Sequence, residues 1–155
     1  MRQGLAGRVR SLSALHSPRD AILFARVATF AATVPLLMRF PLPRLAALLT
    51  RPPRRPRAGA LEVEVEVERL ERLVALAPRV ARPLVRTGCL TRGLTLYRFL
   101  RRAGLDVELR FGVDPRSVDA ADGHCWLALG DEPFLEREDP RPRFVEVWRL
   151  PLAAP

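Results

Sequence analysis

The sequence feature that most constrains the fold is an amphipathic stretch bounded by Gly88 and Gly104. Its apolar residues recur every three or four positions, as on one face of a helix: Leu90, Leu94, Tyr97 and Leu100. Thr87 is the expected N-cap and Gly104 the expected stop. The stretch therefore predicts a central helix with Cys89 in its first turn. Three arginines are expected to point outward near its end: Arg98, Arg101 and Arg102.

Residues of alternating polarity follow this helix. They predict strands at 106–113 and 124–129, separated by a polar loop at 114–122. A turn at 130–132 returns the chain over 133–136, which predicts a hairpin, and residues 144–148 form a last short strand. Helices that precede a run of short strands are typical of an α+β fold, here with the central helix packed on a small antiparallel sheet.

The chain before this core divides into a loose tail at 1–19, an apolar helical segment at 20–50 with Asp20 as N-cap, and a linker rich in proline and arginine at 51–60. Arg26 and Pro35 interrupt the apolar segment, which argues against a membrane span. About twenty largely polar and basic residues precede it, which argues against a signal peptide. We expect a helix that packs on the domain or lies on a membrane surface, in a cytoplasmic or peripheral membrane protein.

The main domain is expected over 61–150, and its first element is ambiguous. Residues 61–67 alternate between apolar residues and glutamate, as a strand would. From residue 67 onward the apolar residues take helical spacing: Leu70, Leu73, Val74 and Ala77. We favour one helix from about 63 to 77 that Pro78 ends or kinks, with the strand as the alternative.

Composition excludes several chemistries. The chain has no lysine and no asparagine, so a Schiff-base lysine, a P-loop lysine and a Cys-His-Asn triad are all impossible. Two cysteines are too few for a disulfide framework and fit a reducing compartment. The net charge of +9 is carried by arginine. It is explained most simply by a bias of the composition toward arginine, and the alternative is an acidic partner or a membrane surface. Only 6% of residues are aromatic, which argues against a nucleic-acid groove.

Cys89 and His124 are the candidate catalytic pair. A thiol at a helix N-terminus has a lowered pKa, because the partial positive charge there stabilises the thiolate. A histidine at the start of a later strand can take up its proton. The alternative interpretation is a buried cysteine and a histidine bonded to backbone. Cys125 should face the opposite side of the strand from His124, as a core residue, and this divergence argues against a metal site.

The motifs around this pair resemble those of the standalone leader peptidases of lasso peptide biosynthesis. The resemblance lies in Gly88-Cys89-Leu90-Thr91-Arg92-Gly93-Leu94, Leu100-Arg101-Arg102-Ala103-Gly104, Phe111-Gly112-Val113, Gly123-His124-Cys125-Trp126-Leu127 and Glu132-Pro133. It implies a transglutaminase-like, papain-related fold over residues 60–150 that needs no cofactor. It also implies cleavage of the leader from a ribosomally made precursor peptide, with a separate leader-recognition protein and a lasso cyclase as partners.

The acid of that family follows its histidine by about a dozen residues and is usually aspartate, whereas this chain has Glu136 there. Asp131 and Asp139 are the alternatives. The predicted hairpin returns Glu136 beside His124 and leaves Asp131 at its far tip, so geometry favours Glu136. Two other functions stay open: a non-catalytic peptide-binding scaffold, and acyl transfer to an amine as in transglutaminases.

Overall fold

The computed structural model describes residues 17–50, 60–81, 84–85, 87–117 and 122–151. Within these ranges lie four helices: α1 (Pro18–Leu37), α2 (Leu42–Leu49), α3 (Ala60–Val80) and α4 (Cys89–Ala103). Four strands follow: β1 (Val107–Val113), β2 (Gly123–Leu129), β3 (Glu132–Phe134) and β4 (Val145–Leu150). The α+β prediction is confirmed. The predicted tail and linker lie outside the described residues, apart from residues 17–19 and residue 60.

Helix α1 starts three residues earlier than the predicted N-cap implied. The N-cap is Ser17, not Asp20, and its hydroxyl accepts a hydrogen bond from the backbone N–H of Asp20 at 3.1 Å. Pro18 can occupy the first helical position because the N–H there has no helical partner anyway. One stripe of α1 enters the core: Phe24, Val27, Ala31 and Val34. The apolar segment is therefore part of the packed domain.

Helix α3 resolves the ambiguous segment in favour of the helix. It runs unbroken from Ala60 to Val80, and the apolar residues that took helical spacing in the sequence are all buried. The local alternation with glutamate does not produce a strand, because these apolar residues gain more contact by packing on α1 and α4. Pro78 does not end the helix, which continues for two more residues.

Helix α4 is the centre of the molecule, between the sheet and the pair α1 and α3. Leu94, Tyr97 and Leu100 of its apolar stripe are buried and Leu90 is partly buried, and Gly104 adopts the left-handed conformation, with φ of 101°, that ends the helix. Two expectations were wrong. The N-cap is Gly88 rather than Thr87, and no side chain caps the helix. Arg101 is buried, because it donates hydrogen bonds to Asp106 at 2.7 Å and to the Val107 carbonyl at 3.1 Å.

The sheet is antiparallel, in the order β3-β2-β1-β4, and includes the predicted hairpin of β2 and β3. In β1 and β2, Phe111 pairs with Cys125 and Gly112 with His124. Gly93 of α4 packs closely on this sheet: a Cβ atom there would lie 2.9 Å from Leu109 Cδ1 and 3.1 Å from Cys125 Sγ. The glycine thus brings the first turns of α4 close to β2 and to the residues at its start.

Candidate active site

Cys89 is the first residue of α4 and is half-buried. The first helical hydrogen bond is donated by the Arg92 N–H to the Gly88 carbonyl at 3.1 Å. The amides of residues 89–91 precede it, so they have no acceptor within the helix. The Cys89 sulfur therefore lies where the helix concentrates partial positive charge.

His124 is the second residue of β2, and aromatic rings hold its imidazole. The ring stacks on Trp126 at 6.3 Å between centroids and lies 5.2 Å from the ring of Phe144. Trp126 can take this position because Gly112 lies beneath it: a Cβ atom there would come within 2.8 Å of the indole. Residues 124 and 126 face the same side of the strand, so the indole of Trp126 packs against the imidazole, while His124, at the start of β2, still reaches Cys89.

The pKa of Cys89 is lowered to about 5, far below that of an ordinary thiol. The largest cause is a hydrogen bond from the Cys125 side chain, which outweighs the opposing effect of burial. The backbone N–H of Cys125 and the His124 side chain add further hydrogen bonds, and the charge of His124 favours the thiolate. Cys89 is therefore ionised at neutral pH, as a nucleophilic thiol needs to be.

Cys125 has the opposite character. Its sulfur is buried in the core, as the strand pattern predicted. Its pKa is raised, first because its thiol donates to Cys89 and second because burial disfavours a charge. Its core position follows from the sequence pattern, but its contact with Cys89 does not. Cys125 thus acts as a proton-bearing donor beside the thiolate.

Glu136 lies two residues beyond β3, where the hairpin returns to the start of β2. Its Oε2 is 3.5 Å from Nε2 of His124, and its side chain is largely buried. The other two candidate acids are bonded elsewhere. Asp139 pairs with Arg141 at 2.7 Å, and the exposed Asp131 approaches Arg110 at 3.3 Å. Among the three acids, Glu136 is the one that the structure brings to the histidine.

Arg92 holds Glu136 in place from the first turn of α4. It donates to Glu136 Oε1 at 2.9 Å and also to the backbone carbonyl of Leu135. A longer contact of 3.4 Å reaches Glu71 on α3. Leu135 has a left-handed backbone with φ of 60°, which is unusual for a branched residue and turns the chain toward the histidine. Arg92 belongs to the motif noted in the sequence, but its partners are remote in sequence and could not be inferred.

A cleft of about 720 Å³ opens beside these residues, and Cys89, His124, Cys125 and Glu136 line it. The α3 wall is largely apolar, with Val74, Ala75 and Pro78. The opposite wall is charged and comes from the segment after β3: Arg137, Glu138, Asp139 and Arg143. Among the described residues, no group of three or more His, Cys, Asp and Glu side chains is arranged to hold a metal ion.

Comparison with known proteins identifies the family. The family model described as transglutaminase-like superfamily matches residues 30–149. The chain belongs to the transglutaminase-like superfamily. This transglutaminase-like region begins within α1, so the family match includes α2 and part of the N-terminal helix as well as the sheet. No curated protein and no solved structure matches the chain significantly.

The transglutaminase-like superfamily includes cysteine peptidases and acyltransferases, and its members are generally cysteine-dependent enzymes. Both reactions begin with attack of a thiolate on a carbonyl and pass through an acyl-enzyme. The family therefore agrees with a reactive cysteine in the cleft, and it leaves the acceptor of the acyl group undecided.

Proposed function

We propose that the chain is a cysteine peptidase that removes the leader from a ribosomally made lasso precursor peptide. The observation that carries the proposal is the arrangement of three side chains: an ionised Cys89, a hydrogen-bonded His124, and Glu136 at 3.5 Å from the far ring nitrogen. The lasso assignment is supported by the sequence motifs around Cys89 and His124, which resemble those of the leader peptidases.

In the first half-reaction the Cys89 thiolate attacks the carbonyl carbon of the scissile peptide bond. The carbonyl oxygen becomes an oxyanion, which backbone N–H groups in the first turn of α4 can stabilise. His124, as imidazolium, donates its proton to the leaving amine, so the C–N bond breaks and a thioester forms on Cys89.

In the second half-reaction His124, now neutral, takes a proton from water. The resulting hydroxide attacks the thioester carbonyl, and the Cys89 thiolate leaves. The Glu136 carboxylate, 3.5 Å from Nε2, favours a proton on that nitrogen, which leaves Nδ1 as the nitrogen that exchanges protons with the thiol and the substrate. The carboxylate also stabilises the imidazolium that exists before the first proton transfer and again after the second.

The cleft suits an extended peptide that crosses the start of α4. Its apolar α3 wall can take an uncharged side chain of the substrate, while the charged wall can bind polar backbone or side-chain groups. We also propose that a separate recognition protein delivers the leader, and that a cyclase closes the ring after cleavage. Both partners are inferred from the resemblance to leader peptidases.

The test is to incubate the chain with a precursor peptide, with and without a leader-binding protein, and to weigh the products and the enzyme. Hydrolysis gives free leader and core peptides, and rapid quenching at low pH should trap an acyl group on Cys89. If an added primary amine is incorporated into the leader in place of water, the chain is an acyltransferase. If neither cleavage nor an acyl-enzyme appears with the partner present, the catalytic proposal is wrong.

A further inference from the structure

The turn between α1 and α2 exposes large apolar side chains. Leu36 is 55% exposed, Phe40 46% and Met38 36%. Arg39 lies among them and is exposed as well. We call residues 36–40 the apolar turn. Exposed apolar groups beside a cation are typical of a surface that inserts shallowly into lipid headgroups.

The charge of the chain is distributed very unevenly along the sequence. Residues 1–61 contain eleven arginines and one acidic residue, which gives a formal charge of +10. Residues 62–155 contain 15 arginines and 16 acidic residues, which gives −1. The one acid of the first part, Asp20, is bound by Arg69 at 2.6 Å. The whole positive excess therefore belongs to the sequence that contains the apolar turn.

Helix α1 is held in the domain by its buried stripe. It is the one described helix long and apolar enough to span a bilayer. However, its stripe of Phe24, Val27, Ala31 and Val34 is buried against the domain, so a span would remove these residues from the core. Contact with a membrane surface needs no such change, since the apolar turn is already exposed.

We propose that the apolar turn docks the protein on an anionic lipid bilayer. Leu36, Met38 and Phe40 enter the headgroup region, and the exposed Arg39 and Arg44 are attracted to the lipid phosphates. A nucleic acid would attract the same charge but would gain nothing from three exposed apolar side chains. The proposal is independent of the reaction catalysed in the cleft.

The experiment is flotation of the full chain with vesicles of phosphatidylcholine alone or with about 30% phosphatidylglycerol, a fraction chosen to give the surface a strong negative charge. We expect binding to the anionic vesicles, weaker binding as salt increases, and little binding to neutral ones. The double variant Met38→Ser/Phe40→Ser should lose most of the binding. The control Val145→Ser/Val147→Ser removes two apolar residues of β4 that are more exposed than Met38 and Phe40, and it should bind as the unchanged protein does.

Alkylation of Cys89 at an unchanged rate shows that each variant is folded, without reference to peptidase activity. Equal binding by the turn variant and the unchanged protein would overturn the proposal, as would equal loss in the control. Binding to duplex DNA or RNA but not to vesicles would show that the positively charged residues bind a nucleic acid instead of lipid. A dimer in solution that the turn variant converts to a monomer, with no vesicle binding, would assign the turn to a second copy.

Discussion

The two cysteines are within hydrogen-bonding range, yet their surroundings give them opposite chemistry. Cys89 lies at the start of a helix, in a cleft, with donors on several sides, and its pKa falls to about 5. Cys125 lies inside the core beside Leu109 and Gly93, and its pKa is raised. The difference teaches that reactivity here comes from position: one sulfur receives hydrogen bonds as an anion, and the other can serve only as a donor.

The assigned difference between the two cysteines would be wrong if Cys125, and not Cys89, proved essential. Cys89→Ala should abolish leader cleavage, a loss of at least about 10⁴-fold, because no other group can form the thioester. Cleavage assays and thermal unfolding would be measured on the same samples. The fold should be intact, and mapping by mass spectrometry should find alkylation of the native protein at Cys89 first. Preferential labelling of Cys125 would reverse the assignment.

His124→Ala tests whether Cys89 and His124 work as one catalytic unit. It should be as damaging as Cys89→Ala, since the thiol and its base act together. The double variant should lose little more than either single one. A rate near that of the unchanged enzyme for His124→Ala, measured by single-turnover cleavage, would exclude this histidine as the base.

Glu136→Gln should reduce kcat by roughly 10- to 10⁴-fold, with the upper end set by known triads. The amide keeps the size of the side chain but loses the charge that stabilises the imidazolium. Glu136→Asp should recover part of the rate. Asp139→Asn is the matched control, because Asp139 lines the same cleft but pairs with Arg141. If Asp139→Asn costs more than Glu136→Gln, the two roles are exchanged.

Arg92→Ala should reduce kcat about tenfold, the scale of one lost charge-assisted hydrogen bond of roughly 1.5 kcal/mol. Arg92 is a positioning residue, so its effect should act through Glu136. Arg92→Ala added to Glu136→Gln should then cost almost nothing more, and Arg92→Lys should restore part of the loss. Arg137→Ala, another cleft arginine, is the control. Additive losses in the double variant would show that Arg92 acts independently of Glu136.

Cys125→Ala should leave most of the cleavage activity and change the pH dependence of Cys89. In the unchanged protein the thiolate exists above pH about 5, so alkylation should be nearly constant from pH 6 to 8 and fall about tenfold per unit well below 5. Loss of the Cys125 donor raises the pKa of Cys89, which slows alkylation several-fold at pH 6 but not at pH 8.5. Cys125→Ser keeps a donor and should resemble the unchanged protein. An identical pH profile for Cys125→Ala would show that the Cys125 thiol does not lower the pKa of Cys89.

The sequence predicted much of the fold because its signals are local. The spacing of apolar residues in α3 and α4 and the hairpin of β2 and β3 follow from neighbouring residues, and the hairpin also predicted that Glu136 returns to His124. What it could not predict are contacts between distant segments. The bond of Arg92 to Glu136 joins side chains 44 residues apart. The burial of Arg101 is a different case: its partners, Asp106 and Val107, are close in sequence, but the contact depends on how the chain turns back after α4. The hydrogen bond from the Cys125 thiol to Cys89 could not be predicted either. Strand alternation predicts which face of β2 the thiol is on, but not that the start of α4 lies beside it.

Helix α4 approaches the sheet closely at Gly93, so the size of residue 93 limits the sizes of residues 109 and 125. An added methyl group at residue 93 would overlap both Leu109 and Cys125, so α4 would have to move away from the sheet unless one neighbour became smaller. Such a movement would shift Cys89 away from residues 124 and 125 together. The spacing of the reacting groups is therefore governed by a position that has no functional group. In any redesign of this cleft, residues 93, 109 and 125 must be changed together, because their side chains share one tightly packed space.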